Sequence, residues 1–316
     1  MKQISKRVNK KVSALLLKPQ YAQRTPEWFA QRKTRVTASE VANCLVYNEI
    51  ACREYMNQFP HVTMKLNDKP INSYQSYMEY LIQKCNNVPF TDNVSTLHGK
   101  KYEDVACALY TRIKDKDVYD FGLINHPRLK WLAASPDGIT NDGVMLEIKC
   151  PNKRKIKDNE TPLMYWIQMQ IQMEVCNLNE CDYLECEIEQ VSENDFFQGV
   201  HEYKGIIGKW SDTSTFIYPP KNVSSIGDFL LWQESLQFSL GPHVSFDYYI
   251  IRKHQIITIN RSKIWFDGVK SIIKKAHDDI TKHQNDPGLL QEYTRKYNES
   301  KNKKFMDKFN TITCTL

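Results

Sequence analysis

Apolar and polar positions follow two rhythms along this chain, a helical one first and an alternating one later. Thr25-Pro26-Glu27 predicts a helix start, with threonine as cap and proline at the first helical position. Thr37-Ala38-Ser39-Glu40 is a capping-box sequence and predicts a second helix. Two further helical stretches are expected over about 49–59 and 72–86, separated by a polar loop. A longer helix over about 96–114 carries Tyr102, Val105, Ala106, Leu109 and Ile113 on one stripe. Strand-like runs follow near 117–125, 129–134 and 143–150, then a helix over about 161–177, then strands near 181–190 and 199–209. Helices, strands, a crossover helix and more strands predict an α/β domain around a central mixed sheet flanked by helices.

Past residue 210 the pattern changes. Residues 224–237 read as helix, 246–258 as a strand with Tyr248, Ile250 and Ile251, and 262–298 as basic helix. The expected organisation is a basic, weakly ordered lead-in over 1–20, a core over 21–210, and a C-terminal α/β extension over 211–316 packed on that core. A hydrophobic content of 41% suffices for a sizeable core, and a net charge of +6 is too mild to argue for nucleic acid by itself. Local clusters say more: Lys2 to Lys11, Lys149 to Lys157, and Arg252 to Lys308. Nine unevenly spaced cysteines, no signal-peptide pattern and no apolar stretch of bilayer length point to a reducing, intracellular protein without a membrane segment. Cys176, Cys181 and Cys186 lack a CxxC pair and read as buried thiols.

The chemistry concentrates at Ser135-Pro136-Asp137-Gly138 and Leu146-Glu147-Ile148-Lys149. In a strand, Glu147 and Lys149 share one face while Ile148 points away. An Asp-Gly turn at Asp137 is expected to bring its carboxylate beside them. Two carboxylates offer hard oxygen ligands to Mg²⁺, and the adjacent lysine can position or deprotonate a water or neutralise charge building on phosphorus. This is the core pattern of a metal-dependent nuclease. The run Lys149, Lys153, Arg154, Lys155, Lys157 directly follows that strand and suits phosphate contacts, as it would suit a solvated surface.

Three weaker features join it. Glu103 lies at the edge of its helix's buried stripe, whereas Asp104 points away, so Glu103 is the one that would reach a metal. In Tyr165-Trp166-Ile167-Gln168-Met169-Gln170-Ile171-Gln172, Gln168 and Gln172 share one helical face, and Gln170 shares roughly the opposite one with Glu174. A buried amide needs a polar partner, which a metal-bound water, a phosphate or an ordinary core group would each supply. Arg32 with the Thr37-Ala38-Ser39 turn forms a candidate anion site, although a capped helix needs no ligand.

Five ordered blocks resemble the phage-lambda-type exonuclease and YqaJ viral recombinase family, a branch of the PD-(D/E)xK nucleases with a restriction-endonuclease-like core. They are Trp28 to Arg32 with Val36 to Val41, Gly99 to Glu103, Ser135 to Gly138, Leu146 to Pro151, and Tyr165 with Gln168-Met169-Gln170. The resemblance implies two Mg²⁺ ions, with Mn²⁺ suiting the same donors, held by Glu103, Asp137, Glu147 and the carbonyl of Ile148. It implies that Lys149 and Gln168 orient and activate the water, and that Arg32, Ser39 and Ser135 hold a 5′-phosphate. Lys153, Arg154 and Lys155 are the expected DNA contacts. The implied activity is 5′→3′ digestion of one strand of duplex DNA from its end, in viral or phage recombination or genome processing. The alternative is a flap-, single-strand- or RNA-directed nuclease of the same fold. Implied partners are double-stranded DNA ends and a single-strand annealing protein, in the host cytoplasm or nucleus if the source is viral. The family's ring of three subunits is expected less here, because about a hundred residues follow the matched region.

Overall fold

The computed structural model describes residues 7–47, 49–65, 69–86, 91–211, 215–220 and 223–313, with side chains through 303. Helices α1 (Lys10–Leu16) and α2 (Pro26–Lys33) lead into β1 (Val36–Thr37) and a 3-10 helix, Ala38–Cys44. Then come α3 (Glu49–Gln58), α4 (Tyr77–Cys85) and α5 (Val94–Lys114). Short strands β2 (Val118–Tyr119), β3 (Ile124–Asn125), β4 (Leu132–Ala134) and β5 (Gly138–Thr140) precede β6 (Met145–Lys149). Crossover helix α6 (Leu163–Cys176) leads to β7 (Glu180–Val191), followed by α7 (Glu193–Gln198), β8 (Lys204–Trp210) and β9 (Phe216–Ile217). The chain ends with α8 (Ile226–Leu240), β10 (Val244–Asn260), α9 (Lys263–Asn285) and α10 (Pro287–Thr313).

Seven strands form one mixed sheet in the order β2-β5-β6-β7-β10-β8-β9, and β1, β4 and β3 form a second, three-stranded one. In the larger sheet β6 and β7 are parallel, joined by α6, and the other pairs are antiparallel. Both faces of β6 are covered. Tyr102, Val105, Ala106, Leu109 and Tyr110 of α5 pack with Leu146 and Ile148 in one cluster, whereas Met145 joins α6 in the other. Strands buried on both faces are expected to be apolar throughout, so a charged residue at the centre of β6 is conspicuous. Helix α6 ends where Asn177 takes a left-handed turn (φ 54°) and Leu178 N–H returns to the Met173 carbonyl at 3.0 Å. That cap aims the chain straight into β7.

The α/β class and mixed sheet are as expected, with four local differences. Glu40 Oε2 does accept the Thr37 N–H at 2.9 Å, but the Thr37 hydroxyl is left without a partner, and the helix that follows is a seven-residue 3-10 helix. Ile113 is 38% exposed and leaves the apolar stripe to Tyr110, which is fully buried. The lead-in contains α1, capped by Asn9, whose Val12 and Leu15 enter the main core; residues 1–6 lie outside the described residues. The sheet also crosses the expected boundary at residue 210. β10 pairs with β7 from Tyr248 to Asn260 and with β8 from Val244 to Ile250. Cys176, Cys181 and Cys186 are buried free thiols, as expected. Among the described residues, no helix is long and apolar enough to cross a membrane.

Because β10 lies between β7 and β8, a chain ending at Trp210 leaves β7, with its buried Cys181, Tyr183, Leu184, Cys186 and Ile188, as an unpaired edge. Such a chain is expected to show no cooperative thermal transition by circular dichroism. A sharp transition would mean that residues 21–210 fold independently.

Candidate active site

The period of β6 puts Met145, Glu147 and Lys149 on the face that meets α6. Glu147 has no exposed surface. Gln168 Nε2 donates to its Oε1 at 2.6 Å and Gln172 Nε2 to its Oε2 at 2.7 Å. Lys149 donates to Oε1 as well, and to the Ile148 carbonyl at 3.2 Å. The two glutamines expected on one face of α6 therefore converge on one carboxylate. Gln170, on the other face, bonds Asn260 O at 2.8 Å and Ser262 N–H at 2.6 Å, an ordinary core role. Sequence reasoning placed Gln172 on the right face but assigned it no part in the site.

Asp137 reaches the cluster by a route other than the expected one. Gly138 already belongs to β5, paired with Leu146, and the hairpin turns at Asn141-Asp142-Gly143, where Gly143 has φ 94°. Asp137 thus stands at the start of β5 beside the end of β6, and its Oδ2 accepts the Ile148 N–H at 2.7 Å. Glu103 is partly buried on α5 and Asp104 is exposed, as their helical positions require. Arg24 Nη2 donates to Glu103 Oε2 at 2.9 Å. Arg24 itself holds a left-handed backbone (φ 70°), uncommon for a side-chain-bearing residue, and no sequence signal marked it.

Charge is crowded here. Burial and the neighbouring Asp137 push both Glu103 and Glu147 up to about 7. Burial alone would lower the Lys149 ammonium, but Glu147 and Asp137 outweigh it and hold it above its ordinary value. Lys149 therefore keeps its proton, and the group that gives way near neutrality is a carboxylate. Lys149 also lies 5.1 Å from the centre of the Tyr165 ring, which Arg154 approaches at 5.9 Å.

The donors suit a hard divalent cation in kind: carboxylates of Glu103, Asp137 and Glu147 and the Ile148 carbonyl. The buried Gln172 Oε1 has no partner, which leaves a polar position to be filled. Among the described residues no three His, Cys, Asp or Glu side chains already form a cation cage. Arg24 and Lys149 occupy carboxylate oxygens that a cation would take.

The anion-site residues also meet. Arg32 Nη2 lies 3.4 Å from Ser39 Oγ, and its guanidinium stacks 4.4 Å over Trp28. Trp28 Nε1 donates to Ser135 Oγ at 2.9 Å, tying that cluster to the segment that carries Asp137. Arg32 also approaches Glu40 Oε1 at 3.5 Å, and Lys84 bonds both oxygens of that carboxylate at 2.8 Å. Burial alone would raise Glu40, but Lys84 and Arg32 outweigh it and hold it below the ordinary range. Trp28, Glu40 and Lys84 went unassigned in the sequence. Of the expected DNA contacts, Lys153 is exposed, Lys155 is exposed and 3.5 Å from Glu187, and Arg154 is engaged with the buried Glu185.

Residues 62–179 match the YqaJ-like viral recombinase domain. This is the family that the five ordered blocks resemble, and the matched residues include Glu103, Asp137, Glu147, Lys149 and Gln168. An uncharacterised protein of Acanthamoeba polyphaga mimivirus is 27% identical over 259 residues, 68% of this chain and 43% of that protein. The chain thus spans less than half the length of that curated relative. Among solved structures, the alkaline exonuclease LHK-Exo of Laribacter hongkongensis in complex with dAMP is similar at 19% identity and a TM-score of 0.47, over 87% of this chain and 99% of that one. A phage-related exonuclease of Haemophilus somnus is similar at 14% identity and a TM-score of 0.43, over 78% and 93%.

The raised carboxyls of this site make a pH prediction. A carboxyl raised by folding stabilises the fold fully below its unfolded value, and that contribution is lost as pH rises through the folded value. For Glu147 the window runs from the ordinary 4.5 to about 7. Without metal, the wild-type Tm is therefore expected to fall by roughly 5 °C between pH 5 and 8 relative to Glu147→Gln. Added Mg²⁺ should close that gap. Parallel profiles in differential scanning fluorimetry would remove the crowded-charge account.

Proposed function

We propose that this protein is a Mg²⁺-dependent exonuclease that digests one strand of duplex DNA 5′→3′ from a 5′-phosphorylated end. The observation that carries the reading is the convergence of Gln168, Gln172 and Lys149 on Glu147, with Asp137 beside them and a cationic, hydroxyl-bearing pocket linked through Ser135. The match of residues 62–179 to the YqaJ-like viral recombinase domain supports a nuclease core. Glu103, Asp137, Glu147 and the Ile148 carbonyl would hold two Mg²⁺ ions, or Mn²⁺ in their place. Bound there, the ions supply Lewis-acid polarisation of the phosphate and neutralise charge developing on it.

The chain's own groups do the rest. Lys149, as a cation, donates to a phosphate oxygen or to the attacking water. It turns into a base only when the negative field of Glu147 and Asp137 is neutralised. Gln168 and Gln172 keep the Glu147 carboxylate in one orientation, so its donor oxygens are preorganised. Arg32, Ser39 and Ser135 anchor the terminal phosphate, which ties cutting to an end. Lys153 and Lys155 contact the backbone beyond it. Arg154, committed to Glu185 and stacked towards Tyr165, shapes the site wall. A single-strand annealing protein is the natural recipient of the 3′ tail. The sheet-embedded C-terminal region weighs against carrying over a three-subunit ring unchanged.

Linear duplex DNA labelled at either end tests this in Mg²⁺, with 5′-phosphate or 5′-hydroxyl termini and a closed circle as control. The 5′ label is expected to leave first, faster with phosphate, with the circle intact and Lys149→Ala reduced by at least about 10³-fold. Cutting of the circle, or release from a 5′ flap in preference to a blunt end, would favour the flap- or single-strand-directed nuclease.

A further inference from the structure

We propose that Lys84 is a positioning residue for the terminal-phosphate pocket: it takes up the charge of buried Glu40, so that Arg32 keeps its own charge for the phosphate. This rests on the phosphate-pocket reading above.

Glu40 belongs to the first turn of the 3-10 helix and closes its capping box, with Oε2 accepting the Thr37 N–H at 2.9 Å. Lys84, from the last turn of α4, lies 44 positions away in sequence, yet donates to both Glu40 oxygens at 2.8 Å. The two side chains are 9% and 17% exposed, so the pair is shielded from water. Tyr80 adds a hydroxyl contact to Oε2 at 3.4 Å. Arg32 is the more distant cation of the same carboxylate, 3.5 Å from Oε1 against 2.8 Å for Lys84, and lies about as far from Ser39 Oγ, at 3.4 Å, with its guanidinium over Trp28.

The charges decide what this arrangement does. Arg32, Lys84 and Glu40 sum to +1, and the shortest contacts of the carboxylate go to Lys84 and the Thr37 N–H. Remove Lys84, and Glu40 becomes a buried anion whose nearest cation is Arg32. The guanidinium would then turn inward to pair with it, and an incoming phosphate would meet a neutral pair. Leaving a buried charge without its partner is costly, which is why Arg32 would be recruited. A capped helix needs only the Thr37–Glu40 contacts, so the lysine is surplus to capping.

The experiment measures binding without metal, in EDTA, by fluorescence anisotropy of blunt duplexes that differ only in a 5′-phosphate or 5′-hydroxyl. Wild type is expected to favour the phosphate, and Lys84→Met to lower that preference by about tenfold. Lys84→Arg should keep it. The double variant Glu40→Gln with Lys84→Met restores a pocket charge of +1 and should regain it, which a merely structural pair would not do. No preference in wild type would sink the phosphate pocket itself. A wild-type preference that survives Lys84→Met, or that the double variant fails to recover, would overturn the role of Lys84 alone. Should Lys84→Met fail to fold, Glu40→Gln by itself decides: the pocket then carries +2, and the preference must rise. An unchanged or lower preference would reject the proposal.

Discussion

A carboxylate with no exposed surface, Glu147, sits in the middle of a sheet covered on both faces, and its neighbours are arranged around the cost of keeping it there. Breaking a buried pair of this kind typically costs about 3–5 kcal/mol if the remaining group stays charged. Here the compensation comes from three side chains, Lys149 on the same strand and Gln168 and Gln172 on the crossover helix. The compensation is incomplete, since Glu147 is still pushed up to about 7 by its burial and by Asp137. The site is left short of positive charge, and the β6-α6-β7 unit is what holds it in that condition.

The late strand β10 does for the sheet what α6 does for the site. It runs for 17 residues and separates β7 from β8, so residues far beyond the YqaJ-like match complete the sheet that carries β6. Arg261, just after β10, also binds Glu174 on α6, and Ser262 binds Gln170. The far face of α6 is thereby pinned by the C-terminal part of the chain while its near face serves Glu147. The contacts that orient Glu147 on one side of a helix and tertiary anchoring on the other are thus coupled through a rigid element.

Much of the site was legible because it depends on short-range periodicity. Two-residue alternation put Glu147 and Lys149 together, and the 100° step of a helix separated Gln168 and Gln172 from Gln170, and Glu103 from Asp104. The Asp137-Gly138 turn was misread, because Asn141-Asp142-Gly143 four residues on provides the left-handed glycine that closes the hairpin. Ile113 fell off its stripe, and Tyr110, whose hydroxyl donates to the buried Asp182, is the residue enclosed near the end of α5. The 3-10 form of the Thr37 helix has no local signature in the capping box, which serves either helix type.

By itself the sequence determined the classes of group available and their faces: acidic and amide side chains around one strand, a basic residue beside them, and an arginine near a capped turn. Those follow from spacing along the chain, where backbone geometry leaves little choice. Only the tertiary structure decided which charges cancel. Lys84 reaching Glu40, Arg24 reaching Glu103, and Arg154 reaching Glu185 all join residues at least 31 positions apart. Electrostatic partnership depends on distance and burial in space, and neither quantity is encoded by the local period of a chain.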